Sequence, residues 1–181
     1  RLEVRESLNT IKEVRHENEW PLARTQYTPL YFQRNILSTE TVDFPGSHNY
    51  RAKKGEVLIQ HTFTKDTELS GYFKLKLWVE TRAEKGEKAI PDDMEIFSVL
   101  HKLDNSGKVV HFNGSVGLNK DGVSRGCIKV SRRELCNTES KPWMPVLSGK
   151  SENKLKKGEI VPVEISLNPS CTFFKAGESL Q

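Results

Sequence analysis

The sequence predicts an all-β fold, a sandwich of short strands, and three features of the pattern point to it. Apolar residues alternate with polar ones at period two in several segments. Turn-forming clusters separate those segments, and helical signals between them are weak. Short strands joined by turns, without alternating helices, form packed antiparallel sheets rather than a βαβ sheet.

The chain opens on a strand-like run, Arg1-Leu2-Glu3-Val4-Arg5. Residues 9-55, with Pro21, Pro29, Pro45 and Gly46, are the least regular part and read as an irregular arm that wraps the sandwich. Short strands are expected at 57–63 and 126–131. Between them, Phe73, Leu75, Leu77 and Val79 share one face of a strand, while Tyr72, Lys74, Lys76, Trp78 and Glu80 share the other. Met94 to Leu103 is apolar on both faces, Ile96 and Leu100 on one, Phe97, Val99 and Leu103 on the other, as in a central strand. Asp104-Asn105-Ser106-Gly107 is a turn, and Val109-Val110-His111-Phe112 resumes, so 94–112 reads as a hairpin. Val161, Val163, Ile165 and Leu167 point inward from a last strand. Pro162 lies on its outer face, which suggests an edge or a bulge. Lys-Lys-Gly-Glu occurs at 53–56 and at 156–159, and both copies read as equivalent turns leading into strands. Ser131 to Leu135 can form one helical turn, with Ser131 and Glu134 spaced as a capping box.

The 181 residues suffice for a single domain, expected to span 1-181. The 28 Lys+Arg balance 24 Asp+Glu to a net +4, which is a solubility statement and gives no clustered basic face for nucleic acid. No apolar run reaches the ~18 residues of a membrane span, and the first residues lack a signal peptide's apolar core. A soluble, cytoplasmic chain, processed or a fragment because it does not begin with Met, is the expectation. Cys127, Cys136 and Cys171 are odd in number and lack C-x-x-C spacing, against both a disulfide framework and a structural zinc site. The sequon at Asn113-Gly114-Ser115 is short enough to recur by chance.

Chemistry-bearing motifs are sparse. A nucleophile elbow needs glycine two residues either side of its serine, and Asn113-Gly114-Ser115-Val116-Gly117 has Asn at the first of those positions. His61, His101 and His111 alternate along strands, and His48 sits in a loop, with no nucleophile motif beside any of them. Arg15-His16-Glu17-Asn18-Glu19-Trp20-Pro21-Leu22-Ala23-Arg24-Thr25-Gln26-Tyr27 crowds titratable groups, but lacks the helical His spacing of a metalloprotease. It reads as a salt-bridged segment whose Trp20 and Tyr27 anchor the arm. Asp92-Asp93, after Pro91, reads as a turn. No catalytic, cofactor-binding or metal-ligating residue is assigned.

Taken in order, Trp20-Pro21, Leu30-Tyr31, Asp66 to Gly71 leading into Leu75 to Val79, Asp93 to Phe97, Gly126 to Arg133, Leu155 to Glu159 with Val161 to Ile165, and Pro169 to Glu178 form a series. From about Leu2 onward that series resembles the C-terminal domain of the cocaine esterase and Xaa-Pro dipeptidyl-peptidase group of serine hydrolases. The resemblance implies a jelly-roll, galactose-binding-like β-sandwich. It implies a domain without catalytic residues that packs on an α/β-hydrolase catalytic domain, shapes its active-site region and contributes to assembly, so a homo-oligomer is compatible with it. In the family, Ala-Gly-Glu leads to further strands, so a chain ending at Ser179-Leu180-Gln181 is expected to keep an unpaired edge. Trp20, Tyr27, Tyr72, Trp78 and Trp143 are the candidates for a docking or ligand surface. A free-standing carbohydrate-binding module, using Tyr72, Trp78 and Trp143, is the alternative.

Overall fold

In the computed structural model, residues 1–41, 46–86, 89–114, 117 and 119–181 are described; Pro45 of the expected arm and Ser115 and Val116 of the sequon and the failed elbow lie outside them. The chain forms two compact units: Arg1–Gly71, Leu100–Val123 and Ser170–Gln181 make the first, Tyr72–Val99 and Ser124–Pro169 the second. Two long strands, β6 (Thr67–Val79) and β11 (Val161–Phe174), each run from one unit into the other.

In the first unit, β1 (Leu2–Ser7) and β2 (Thr10–Arg15) form an antiparallel hairpin with register shifts at Val4/Arg5 and Arg5/Ser7. Those shifts break the period-two signal, which is why β2 was not legible within the expected arm. The arm also contains the hairpin β3 (Tyr31–Gln33) and β4 (Ile36–Ser38), closed over Arg34 in a left-handed conformation (φ 53°). β1 runs parallel to the end of β11, with Arg5 opposite Thr172, in a sheet ordered β2-β1-β11-β6.

A second sheet of this unit is ordered β5 (His61–Thr62), β12 (Ser179–Leu180), β8 (Lys102–Leu103) and β9 (Val109–Val110), with β7 (Glu95–Leu100) preceding β8 in the chain. Of the hairpin expected over 94–112, only Lys102–Leu103 and Val109–Val110 pair with each other, whereas Glu95–Leu100 pairs with the strand at Ser124–Lys129. Asp104 Oδ1 accepts the N–H groups of Ser106 (2.8 Å) and Lys108 (3.0 Å), and Gly107 takes φ 81°. The last residues themselves are paired on both flanks. Ser179 pairs with Thr62 on one side and Leu103 on the other, because the turn at Gly177 (φ 89°) folds the last residues between two strands.

The deepest feature of this unit is an ion pair. The Lys102 side chain is 1% exposed, and its ammonium meets Glu178 Oε2 at 2.7 Å. It also donates to the carbonyls of Glu6 (3.0 Å) and Phe173 (2.8 Å). Every proton of the ammonium thus has an oxygen, which is the condition for burying such a charge. Phe63 and Phe174 pack beside it with ring centroids 4.7 Å apart.

The second unit has an apolar core. Val161, Val163 and Ile165 of β11 face Ile96 of β7 and Ile128 of β10 (Ser124–Lys129), with Leu75, Leu77 and Val79 of β6 packed against them. The inward positions predicted for β11 are therefore buried and those predicted for β6 partly buried, and Pro162 is exposed. At Gly126 a Cβ would lie 2.3 Å from the Ser166 carbonyl oxygen, so only glycine allows the two backbones to approach. The capping box does not form: Val130–Arg132 is a single 3-10 turn without a side-chain cap. Glu134 instead accepts the hydroxyls of Ser148 (3.0 Å) and Ser151. The two Lys-Lys-Gly-Glu turns are also not equivalent, since the second runs straight into β11 while the first is followed by no strand before β5.

Two substitutions test this architecture. Lys102→Met leaves the Glu178 carboxylate buried without its cation, and is expected to cost about 3–5 kcal/mol in urea denaturation. A loss below about 1 kcal/mol would show that the pair is dispensable. Gly126→Ala is expected to cost roughly 1–3 kcal/mol or more, through forced separation of β10 and β11.

Candidate functional site

Of the five sequence-predicted residues, Trp20 and Tyr27 fall in the first unit and Tyr72, Trp78 and Trp143 in the second. Trp20 precedes a cis peptide bond to Pro21. Around it the crowded 15–27 stretch is laced to β6. Arg15 forks onto Glu68 at 2.8 and 2.5 Å, and Glu68 also accepts the Ser70 hydroxyl at 2.6 Å. Arg24 meets Glu17, which lies 3.2 Å from Arg15. The bonds from Arg15, then those from Ser70, hold the Glu68 carboxyl below its ordinary range, against the effect of burial. The Thr25 hydroxyl donates to the Ser70 carbonyl at 3.0 Å, and Leu22 is the buried residue of the stretch. Tyr27 lies against Gly71, whose missing side chain leaves room for the phenol: a Cβ there would meet the Tyr27 hydroxyl at 3.3 Å. This segment is a clasp made of ion pairs, in which Arg15, Glu17 and Arg24 engage one another and Glu68.

Trp143 sits with Pro142 at the centre of a turn closed by paired backbone bonds between Lys141 and Met144 (3.0 and 3.1 Å). Tyr72 and Trp78 share the outer face of β6, but six residues of strand separate them by ~20 Å. The structure therefore does not gather the five aromatics into one pocket. Trp78 is 64% exposed, the Lys76 ammonium lies 5.3 Å from its ring centroid, and Lys74 and Lys76 both reach Glu164 (3.0 and 3.5 Å).

The other outer face of this unit was read differently from sequence. Met94 to Leu103 was expected to be covered on both faces, yet only one side of β7 is. Ile96 is buried in the core while Phe97 is 75% and Val99 45% exposed. The apolar pattern is real, but β7 has a sheet partner and core contacts on one face alone. Its partner β10 carries the exposed Cys127. A bond from Val130 N–H to Met94 C=O (2.9 Å) and one from Val123 N–H to Leu100 C=O (2.7 Å) align the two strands antiparallel. Counting inward from Met94 and Val130 places Cys127 across from Phe97.

Next to this ribbon, Asp93 is a structural acceptor that the sequence concealed in a turn. Its Oδ1 accepts the N–H groups of Met94 and Ser131 (both 2.9 Å), and its Oδ2 faces Lys154 (3.4 Å) and Lys129 (3.5 Å). Partial burial disfavours its charge, but the bonds from Ser131, Met94 and Lys154 outweigh that and hold the carboxyl at about 2 rather than 3.8. In the first unit, burial and then the neighbouring His111 push the His101 imidazole below its ordinary range, with Asp121 opposing them. Among the described residues, no group of His, Cys, Asp and Glu is placed to hold a metal ion, and no helix is long and apolar enough to cross a membrane.

The comparisons with known proteins fit this picture of a site made of surfaces. The model of the X-Pro dipeptidyl-peptidase C-terminal non-catalytic domain family matches residues 3–181. The chain belongs to that family. Two crystal structures of a CocE/NonD family hydrolase from Staphylococcus aureus match it with a TM-score of 0.91 and 36% identity over 98% of this chain. The matched region is 31% of the chain in one and 32% in the other, so this chain spans about a third of those hydrolases. None of the curated proteins matches.

Stability against pH follows from Asp93. Its folded pKa lies below the ordinary carboxylate value, so its contribution is complete above about pH 4 and is lost as the pH falls toward 2. Asp93→Asn is expected to lower the melting temperature at pH 7 and to flatten the acid limb between pH 4 and 2. An unchanged acid limb in the variant would assign that limb to other carboxylates.

Proposed function

We propose that this chain serves as the non-catalytic β-sandwich of a serine hydrolase acting on esters or Xaa-Pro peptides, seated on an α/β-hydrolase catalytic domain whose active-site region it helps to shape. The observation that carries this reading is the family match over nearly the whole chain, joined to the one-third share that the matched region holds in the hydrolase structures. The 36% identity at a TM-score of 0.91 supports carrying that arrangement over. The reading includes a jelly-roll, galactose-binding-like topology and a single domain across 1-181. The domain boundary is supported by the chain passing between its two compact units at 71, 99, 123 and 169, so that neither unit is a continuous segment. Trp20, Tyr27, Tyr72, Trp78 and Trp143 are its candidate docking residues. Homo-oligomerisation and a cytoplasmic setting belong to the same proposal.

The carbohydrate-binding alternative draws its support from Trp78, an exposed indole beside charged groups. It is the weaker reading, because Tyr72 lies about 20 Å along the strand and Trp143 sits in a separate turn, so the three aromatics do not come together.

The intact mass of the protein from its source tests the proposal. A mass near three times 20.7 kDa is expected, given the share of the matched hydrolases that this region represents. Labelling with a serine-directed phosphonate is expected to modify the parent outside these 181 residues. An adduct within them defeats the non-catalytic reading. A glycan-binding signal that disappears in Trp78→Ala would favour the binding module.

A further inference from the structure

We propose that the catalytic domain docks on the outer face of the β7–β10 ribbon, centred on Phe97, Val99 and Cys127. This rests on the proposed function above, and it takes the outer face of β7, in place of the aromatic candidates named there, as the contact surface.

The argument begins with β7. Ile96 enters the core, and the outward positions hold Glu95, Phe97 and Val99, beside Arg125, Cys127 and Lys129 on β10, so apolar side chains occupy the middle of the face between charged ones. A strand covered on one side is ordinarily polar on the other, whereas one covered on both sides reads as a continuous apolar run. From Ile96 to Leu100, β7 is apolar except at Ser98, nearer the second kind of sequence, while its environment in this structure is of the first kind. A phenylalanine 75% exposed beside a valine 45% exposed, with the Cys127 thiol on the facing strand, is an apolar centre. Beyond it Lys129 pairs with Glu152 (3.2 Å) and Asp93 (3.5 Å), and Arg132 with Glu152 (3.2 Å), which gives the patch a charged rim at that end. Apolar centre and polar rim are the anatomy of a protein interface.

The opposite outer face competes for the role because it carries Trp78. There, however, Lys74 and Lys76 neutralise Glu164, and Lys76 lies over the indole, so the face answers its own charges and covers part of its own aromatic surface. Among the described residues, Phe97 has no such internal cover and is 75% exposed. The matched hydrolases show what is available to supply it: about two thirds of each of those chains lies outside the matched region. The occupant is accordingly an apolar surface of the catalytic domain.

Two native chemical reporters distinguish the faces without any substitution. In the native full-length hydrolase, iodoacetamide modification is followed at Cys127 and at Cys136, each referenced to the denatured protein, while acylation is followed at Lys74 and Lys76. Cys127 is expected to react at least tenfold more slowly than when denatured, with Lys74 and Lys76 remaining reactive. Cys127 reacting within threefold of its denatured rate, with Lys74 and Lys76 protected instead, overturns the face assignment and leaves the docking reading standing. Free reaction at all three positions, or a native protein of 20.7 kDa, overturns both.

Discussion

The ammonium of Lys102 is the point on which the first unit turns. Removing such a group from water costs several kcal/mol, and the cost is offset only where every proton meets an oxygen. The three oxygens come from well-separated parts of the chain: the carbonyl of Glu6 at the end of β1, that of Phe173 at the end of β11, and the carboxylate of Glu178 just before β12. Glu178 is held in turn by the N–H of Lys175 at 2.6 Å, and Lys175 pairs with Glu6. One buried charge therefore fixes the first strand, the last long strand and the final turn together. The pairing of Ser179–Leu180 on both flanks depends on that turn being held.

Within the second unit, β11 is ordered by parity. From Val161 to Leu167 each odd-numbered side chain is buried, and the same strand ends in the carbonyl of Phe173 that Lys102 requires. Because parity is fixed by the core, the outer faces are fixed as well. β6 must present Lys74, Lys76 and Trp78, and β7 must present Phe97 and Val99 once Ile96 is committed inward. The surface available for docking is thus a consequence of core packing.

The periodic parts of the fold were legible because one buried face imposes period two. β6, the first half of β11 and the 102–110 hairpin came from pattern and turn chemistry alone. What escaped was whatever lacks that signature. β2 is exposed along its length except at Arg15, and its partner strand carries register shifts, so it has no alternation to read. The continuation of β11 past Asn168-Pro169-Ser170 was hidden by residues that ordinarily announce a turn. Nothing local to Lys102 reveals that carbonyls from Glu6 and Phe173 converge on it. The candidate aromatics were identified by residue type, but their separation along β6 and in the 141–144 turn depends on tertiary placement. Phe97 and Val99 were seen and assigned to a covered face, which is a statement about the environment of β7 that one strand's sequence makes more clearly than the isolated chain displays.

The same contrast explains why the crowded stretch around His16 is not chemistry. Catalytic groups need a titratable atom held ready for a substrate, whereas Arg15, Glu17, Arg24 and Glu68 hold one another, and Glu19 accepts the N–H of Ala23 at 2.9 Å. Asp93 and Glu134 are likewise filled by backbone and hydroxyl donors. Charge in these clusters is committed to closing loops. The apolar side chains on the outer face of β7 are committed to nothing within their own unit, and apolar surface left in water is favourably removed by contact with another surface. On the proposed function, a domain built in this way acts through what it covers and holds, and the reacting groups belong on the catalytic domain.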